Sequence, residues 1–119
     1  MKKAIVRKVH KIDASSKTMG RLATSIALIL RGKNKADFQP HLDLGDTVEV
    51  SNIDKLKFTG KKLEQKTYYK HSGYPSGIRK TKMGDLNKTN PALILKKAVR
   101  SMLPTVKFRD NMLKRLIIK

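Results

Sequence analysis

Aromatic rings with polar tips and cationic side chains are interleaved in one stretch, Thr67 to Lys82. It holds all three tyrosines (Tyr68, Tyr69, Tyr74), with His71, Lys70, Arg79, Lys80 and Lys82, and no carboxylate. Gly73, Pro75 and Gly77 punctuate its centre, so a turn or loop is expected there rather than the middle of a regular element. Such a stretch suits nucleic acid: rings stack on bases or pack on sugars while cations meet phosphates. Tyr68 or Tyr69 taken alone reads better as a ring packed on the core from a strand, since tyrosine can bury its ring and leave its hydroxyl wet.

Catalytic chemistry finds little support. Gly60-Lys61 lacks the upstream glycine and the following Ser or Thr of a phosphate-cradling loop. The serine between Gly73 and Gly77 stands one place too late for a nucleophile elbow. His10, His41 and His71 are far apart and show no metal-ligand spacing, so no metal, cofactor or catalytic residue is expected. Asp43 and Asp46 near His41 read as turn carboxylates that cap backbone amides. Asn87-Lys88-Thr89 matches a glycosylation acceptor, a pattern common by chance. With no cysteine, disulfide scaffolds and thiolate metal sites are excluded.

The charge balance points to a polyanionic partner. The 119 residues carry 28 Lys and Arg against 9 Asp and Glu, a formal net charge of +19. A compact domain with that charge repels itself unless an anion compensates. The charge is also segregated. Residues 37–54 hold five carboxylates and no Lys or Arg, so the rest of the chain carries 28 basic and four acidic groups, a net of +24. No apolar run approaches the roughly 18 residues of a membrane span, and the N-terminus lacks a secretory signal's apolar stretch.

These groups need a scaffold, and the length predicts one domain over residues 1–119. Residues 1–8 form a basic lead-in, and a strand is expected somewhere in 4–13. Ser15, Ser16 and Thr18 are candidate caps for a helix over 19–31, whose positions Met19, Leu22, Ala23, Ile26, Ala27 and Leu30 form one apolar face. Gly32 should end it. The alternation of 47–53 predicts a strand, Leu56–Thr59 a shorter one, and 61–66 a polar connection of one helical turn. Asp85 or Asn87 should start a short helix. Asn90-Pro91 marks the start of another, with Leu95, Ala98, Val99 and Met102 facing inward and Lys96, Lys97 and Arg100 on a second face. A last short helix should end at 111–115, and Leu116–Ile118 reads as a terminal strand. Strand, helix and strand in this order make an α/β unit.

Taken together, Lys17-Thr18-Met19-Gly20-Arg21-Leu22-Ala23-Thr24, Leu30-Arg31-Gly32-Lys33, His41-Leu42-Asp43-Leu44-Gly45-Asp46, Thr59-Gly60-Lys61-Lys62, the run Tyr68 to Pro75, and Ala98 to Pro104 occur in one order. In that order they resemble the universal large-subunit ribosomal protein L-thirteen family, in its bacterial style, from about Val9 to Ile118. The resemblance implies a three-layer α/β/α fold around a small, mostly parallel sheet. It also implies a component of the large ribosomal subunit, in a bacterial cytosol or an organelle, that binds ribosomal RNA during assembly. Three departures stand out. Ser101 replaces a glycine, 106–110 lacks the glycine of the next turn, and the chain looks short of the family's C-terminal tail and part of its N-terminal arm.

The reading is therefore a non-enzymatic ribosomal RNA-binding protein with neighbouring large-subunit proteins, no membrane and no homo-oligomer. Phosphate contacts are expected from Arg21, Lys33, Lys35, Lys61, Lys62, Lys70, Arg79, Lys80 and Arg100, and stacking or sugar contacts from Tyr69, His71 and Tyr74. Arg21 has a competing structural role, closing the helix start against Asp13 or a strand end. Two other functions fit less well: a basic nucleic-acid-binding or translational regulatory protein outside the ribosome, and a small α/β enzyme acting on a phosphorylated substrate with His41 or His71 as base.

Overall fold

The computed structural model describes residues 6–119 and shows a mixed α/β domain. Strand β1 (Val9–Asp13), helix α1 (Met19–Arg31) and strand β2 (Thr47–Ser51) form a crossover unit, because β1 and β2 are parallel neighbours paired Val9 to Thr47 through Asp13 to Ser51. The terminal strand β5 (Leu116–Ile118) adds to the other side of β2, also parallel, with Val48 opposite Leu116. The sheet order is thus β1-β2-β5. Short helices α2 (Lys62–Gln65) and α3 (Met83–Thr89) flank an antiparallel hairpin of β3 (Thr67–His71) and β4 (Ile78–Lys82). Helix α4 (Pro91–Met102) and helix α5 (Arg109–Lys114) follow before β5. No helix among the described residues is long and apolar enough to cross a membrane.

The core forms where α1 packs on β2 of the sheet and on α4. Val48 and Val50 of β2 are fully buried and share one core cluster with Leu22, Ala23, Ile26 and Leu30 of α1 and Ile94, Leu95 and Val99 of α4. The inward positions of α1 follow the three-and-four spacing of its sequence, and Met19, Leu22, Ala23, Ile26, Ala27 and Leu30 are all buried. Burying a Leu or Ile side chain contributes about 1.5–3 kcal/mol, so this stripe alone accounts for much of the drive to fold. In α4 the stripe is shifted from expectation. Ile94 is buried, whereas Met102 is 45% exposed at the last turn.

The start of α1 is fixed by another segment rather than by a side-chain cap. Thr18 occupies the N-cap position, but its hydroxyl makes no capping bond. Instead Met19 N donates to the Lys57 carbonyl (3.1 Å) and Lys57 N to the Lys17 carbonyl (2.9 Å). Residues 56–59 therefore form a single parallel bridge at Lys57, not the short strand that their alternation suggests. Strand β2 likewise stops at Ser51, because Asn52 adopts a left-handed conformation (φ 56°) that turns the chain into a 3-10 turn at Ile53–Lys55. Helix α3 begins at Met83, ahead of both Asp85 and Asn87.

The other end of α1 is closed by Gly32 at φ 81°, with its N–H bonded to Leu28 and Ile29 and Lys33 N bonded to Leu28 O. This paired closure needs a left-handed residue, which glycine adopts without a Cβ penalty.

Candidate nucleic-acid interface

The stretch rich in tyrosine and lysine folds as the hairpin. All five residues of β4 are exposed, as are Tyr69, Lys70 and His71 of β3. The register pairs Thr67 with Lys82, Tyr68 with Thr81, Tyr69 with Lys80, Lys70 with Arg79, and His71 with Ile78. Because side chains alternate between faces, Tyr69, His71 and Lys80 share one face and Lys70 and Arg79 the other. The expected contacts are thus divided between two surfaces of one ribbon. Lys70 and Arg79 stand directly opposite each other, an arrangement that costs stability in the isolated protein.

At the hairpin tip Ser72 N bonds to Gly77 O (2.8 Å) and Gly77 N to Tyr74 O (3.0 Å), which turns Tyr74 outward, 75% exposed. Gly73 N donates to His71 Nδ1 at 2.9 Å, so the neutral ring carries its proton on Nε2 and offers it to solvent. Tyr68 is different. Its ring packs against the core, with the Lys66 and Lys97 ammonium groups 5.5 and 5.2 Å from the ring centre. Burial pushes its hydroxyl pKa upward. Its ring is partly buried against the core, as expected of a structural tyrosine.

Arg21 and Lys62 both line a cleft of about 670 Å³ at the start of α1, whose other walls include Phe58 and Met102. Lys61 and Lys62 also line an open concavity with Lys66 and Gln65. Arg100 lies with Lys96 and Lys97 along a groove toward α5 that contains one carboxylate, Asp110. Lys33 is exposed at the opposite end of α1 from Arg21, about 20 Å away at 1.5 Å per residue.

Lys35 is placed differently from the other cations of the expected set. Its ammonium is bound internally, 2.8 Å from Asp46 and 2.7 Å from the Leu44 carbonyl, and has little left to offer a phosphate. It belongs to a charged knot around Asp43 and Asp46. Asp43 receives a bidentate fork from Arg115 (2.7 and 2.8 Å), with Arg7 Nη2 at 3.8 Å. Asp46, only 2% exposed, accepts from His10 Nε2 (2.8 Å) and the Lys8 amide (3.1 Å), and Glu49 pairs with Lys119. Only Asp46 therefore caps a backbone amide in the expected way; Asp43 is held by arginines. Arg115 also reaches the Leu30 carbonyl (3.0 Å), joining α1, the 43–46 loop and the start of β5. The sequence reading missed this arginine and Arg7, because nothing local distinguishes them from the other cations. Of the basic lead-in, residues 1–5 lie outside the described part, while Arg7 is anchored to the carbonyls of Asp43 and Gly45.

Burial disfavours the charge on Asp46, but hydrogen bonds from Lys35, His10 and the Lys8 amide outweigh it and hold the carboxyl at about 2. Its ordinary value is 3.8. A lowered folded pKa means stability that is complete above the unfolded value and is lost as pH falls through the folded one. Urea unfolding should therefore show on the order of 2 kcal/mol of stability disappearing between about pH 5 and pH 2 through this residue. Asp46→Asn should flatten that limb and lower stability at neutral pH. An unchanged acid limb would show that the knot is not formed as described.

A family model described as ribosomal protein L13 matches residues 7–118. The chain is 42% identical over 114 residues to the large ribosomal subunit protein uL13 of Staphylococcus epidermidis, covering 96% of this chain and 79% of that protein. It is 43% identical, with the same coverage, to the large ribosomal subunit protein uL13 of Staphylococcus aureus.

Proposed function

The chain belongs to the ribosomal protein L13 family, and we propose that it is a structural constituent of the large ribosomal subunit that binds its RNA and supports its assembly. It contributes position and charge neutralisation rather than catalysis. The observation that carries the RNA-binding mode is the hairpin, where Lys70 and Arg79 face each other on a ribbon without a carboxylate. Such a pair is unfavourable alone and favourable against phosphates.

The ion pairs among the described residues all converge on Asp43, Asp46 and Glu49. Asp43 and Asp46 are held near the C-terminal end of α1, while Arg21 and Lys62 stand at the N-terminal end. In this reading Arg21, Lys61, Lys62, Lys70, Arg79, Lys80 and Arg100 meet phosphates, with Lys33 at a separate contact. Tyr69, His71 and Tyr74 stack on bases or pack on sugars. Lys35 drops out of the phosphate set. Neighbouring large-subunit proteins are the further partners.

Sucrose-gradient sedimentation of cell extract tests the proposal. The protein should travel with large subunits and stay with them through high-salt washes. Recovery only at the top of the gradient would overturn it.

A further inference from the structure

The cleft at the start of α1 has a composition that phosphate neutralisation alone does not require. One wall is Phe58, whose ring is packed against the core, and another is the exposed thioether of Met102. The Thr24 hydroxyl reaches Met102 Sδ at 3.4 Å. The charged groups lining the cleft are both cations, Arg21 and Lys62. Thr18, whose hydroxyl is not engaged in capping, also lines the cleft. Its volume of about 670 Å³ lies within the about 300–1,000 Å³ of sites that hold small organic molecules.

We propose that this cleft takes one unstacked nucleotide of the RNA, with its base against Phe58 and Met102 and its phosphate on Arg21 and Lys62. The inference rests on the RNA-binding reading above. A flat ring joined to an anion matches an aromatic and thioether wall beside two cations. An acidic peptide side chain would satisfy the cations and leave the apolar walls bare. Gly20 keeps the cleft open: a Cβ placed there meets nothing within 4 Å, so the missing side chain is space rather than a packing requirement.

That space supplies the test. Gly20→Leu should fill the cleft without straining the fold, since leucine is the better helix former. The expected result is an unchanged or higher melting temperature with about tenfold weaker binding to large-subunit RNA, the equivalent of losing one base stack. In parallel, the Met102 methyl resonance of the unaltered protein should move on titration with a short oligoadenylate. It should stay still with the same sugar–phosphate chain lacking its bases, and with polyglutamate. Full RNA affinity in Gly20→Leu, a silent methyl, or equal movement with the base-free chain or polyglutamate would each overturn the nucleotide site. If the unaltered protein binds no large-subunit RNA, the RNA-binding reading itself fails, which is a separate result.

Discussion

Gly45→Ala should leave little folded protein at physiological temperature. An ideal Cβ at this position would lie 1.6 Å from the Leu30 carbonyl oxygen and 2.4 Å from its carbon. Both are backbone atoms of the last turn of α1, so no side chain can swing aside. Shifting that turn would break Asp46 N to Ile29 O (3.2 Å) and Arg115 Nη2 to Leu30 O (3.0 Å). Losses above about 4 kcal/mol are exceptional for one substitution and need a named mechanism, here a backbone collision. They compare with a total stability of about 5–15 kcal/mol for a domain. Arg115→Met should act at the same junction more mildly, costing about 3 kcal/mol by stripping Asp43 of its bidentate partner in a mostly buried site. Circular dichroism and thermal melting decide both. A Gly45→Ala protein melting within a few degrees of the parent would mean that the loop does not approach α1 this closely.

Elements whose signal is local were legible. Helix α1 follows from an unbroken apolar stripe and a closing glycine, and its bounds of Met19–Arg31 match the expectation. Strands β2 and β5 follow from short apolar or alternating runs. What escaped depends on partners distant in sequence. Leu56 to Thr59 alternates like a strand, yet its neighbour is the entry to α1, leaving one bridge. Strand β4 is polar after Ile78 and exposed throughout, and it is a strand because the turn returns it beside β3. Arg115 resembles any surface cation until residues 85 and 72 positions away are placed beside it. The same limit applied to the site. An exposed aromatic and basic stretch could be read from composition, whereas its division into two faces needed the hairpin register. Lys35 looked available because Asp46 is eleven residues on, across a loop whose path only the fold defines.

The largest functional effect expected is electrostatic. Each phosphate neutralised releases condensed counterions, so the affinity for large-subunit RNA should fall about a thousandfold between about 50 and 200 mM salt if six or more contacts form. Removing both Lys70 and Arg79 as alanines should lower the slope of the log–log plot by about two units. Tyr74→Ala should instead cost about 1–3 kcal/mol of affinity with the slope unchanged, since a stacked ring carries no charge. Tyr68→Ala is the structural control and should lower the melting temperature, because its ring packs on the core beside Lys66 and Lys97. The cross-strand pair adds a sharper diagnostic. In the free protein either Lys70→Ala or Arg79→Ala relieves a like-charge contact, so each should raise stability by about 0.2–1 kcal/mol even as it weakens RNA binding. Cations placed for solubility alone would not couple a gain in stability to a loss of affinity. Melting each variant beside salt-resolved RNA titrations separates the cases. A flat salt plot, or variants whose stability and affinity fall together, would remove the hairpin from the phosphate-binding surface.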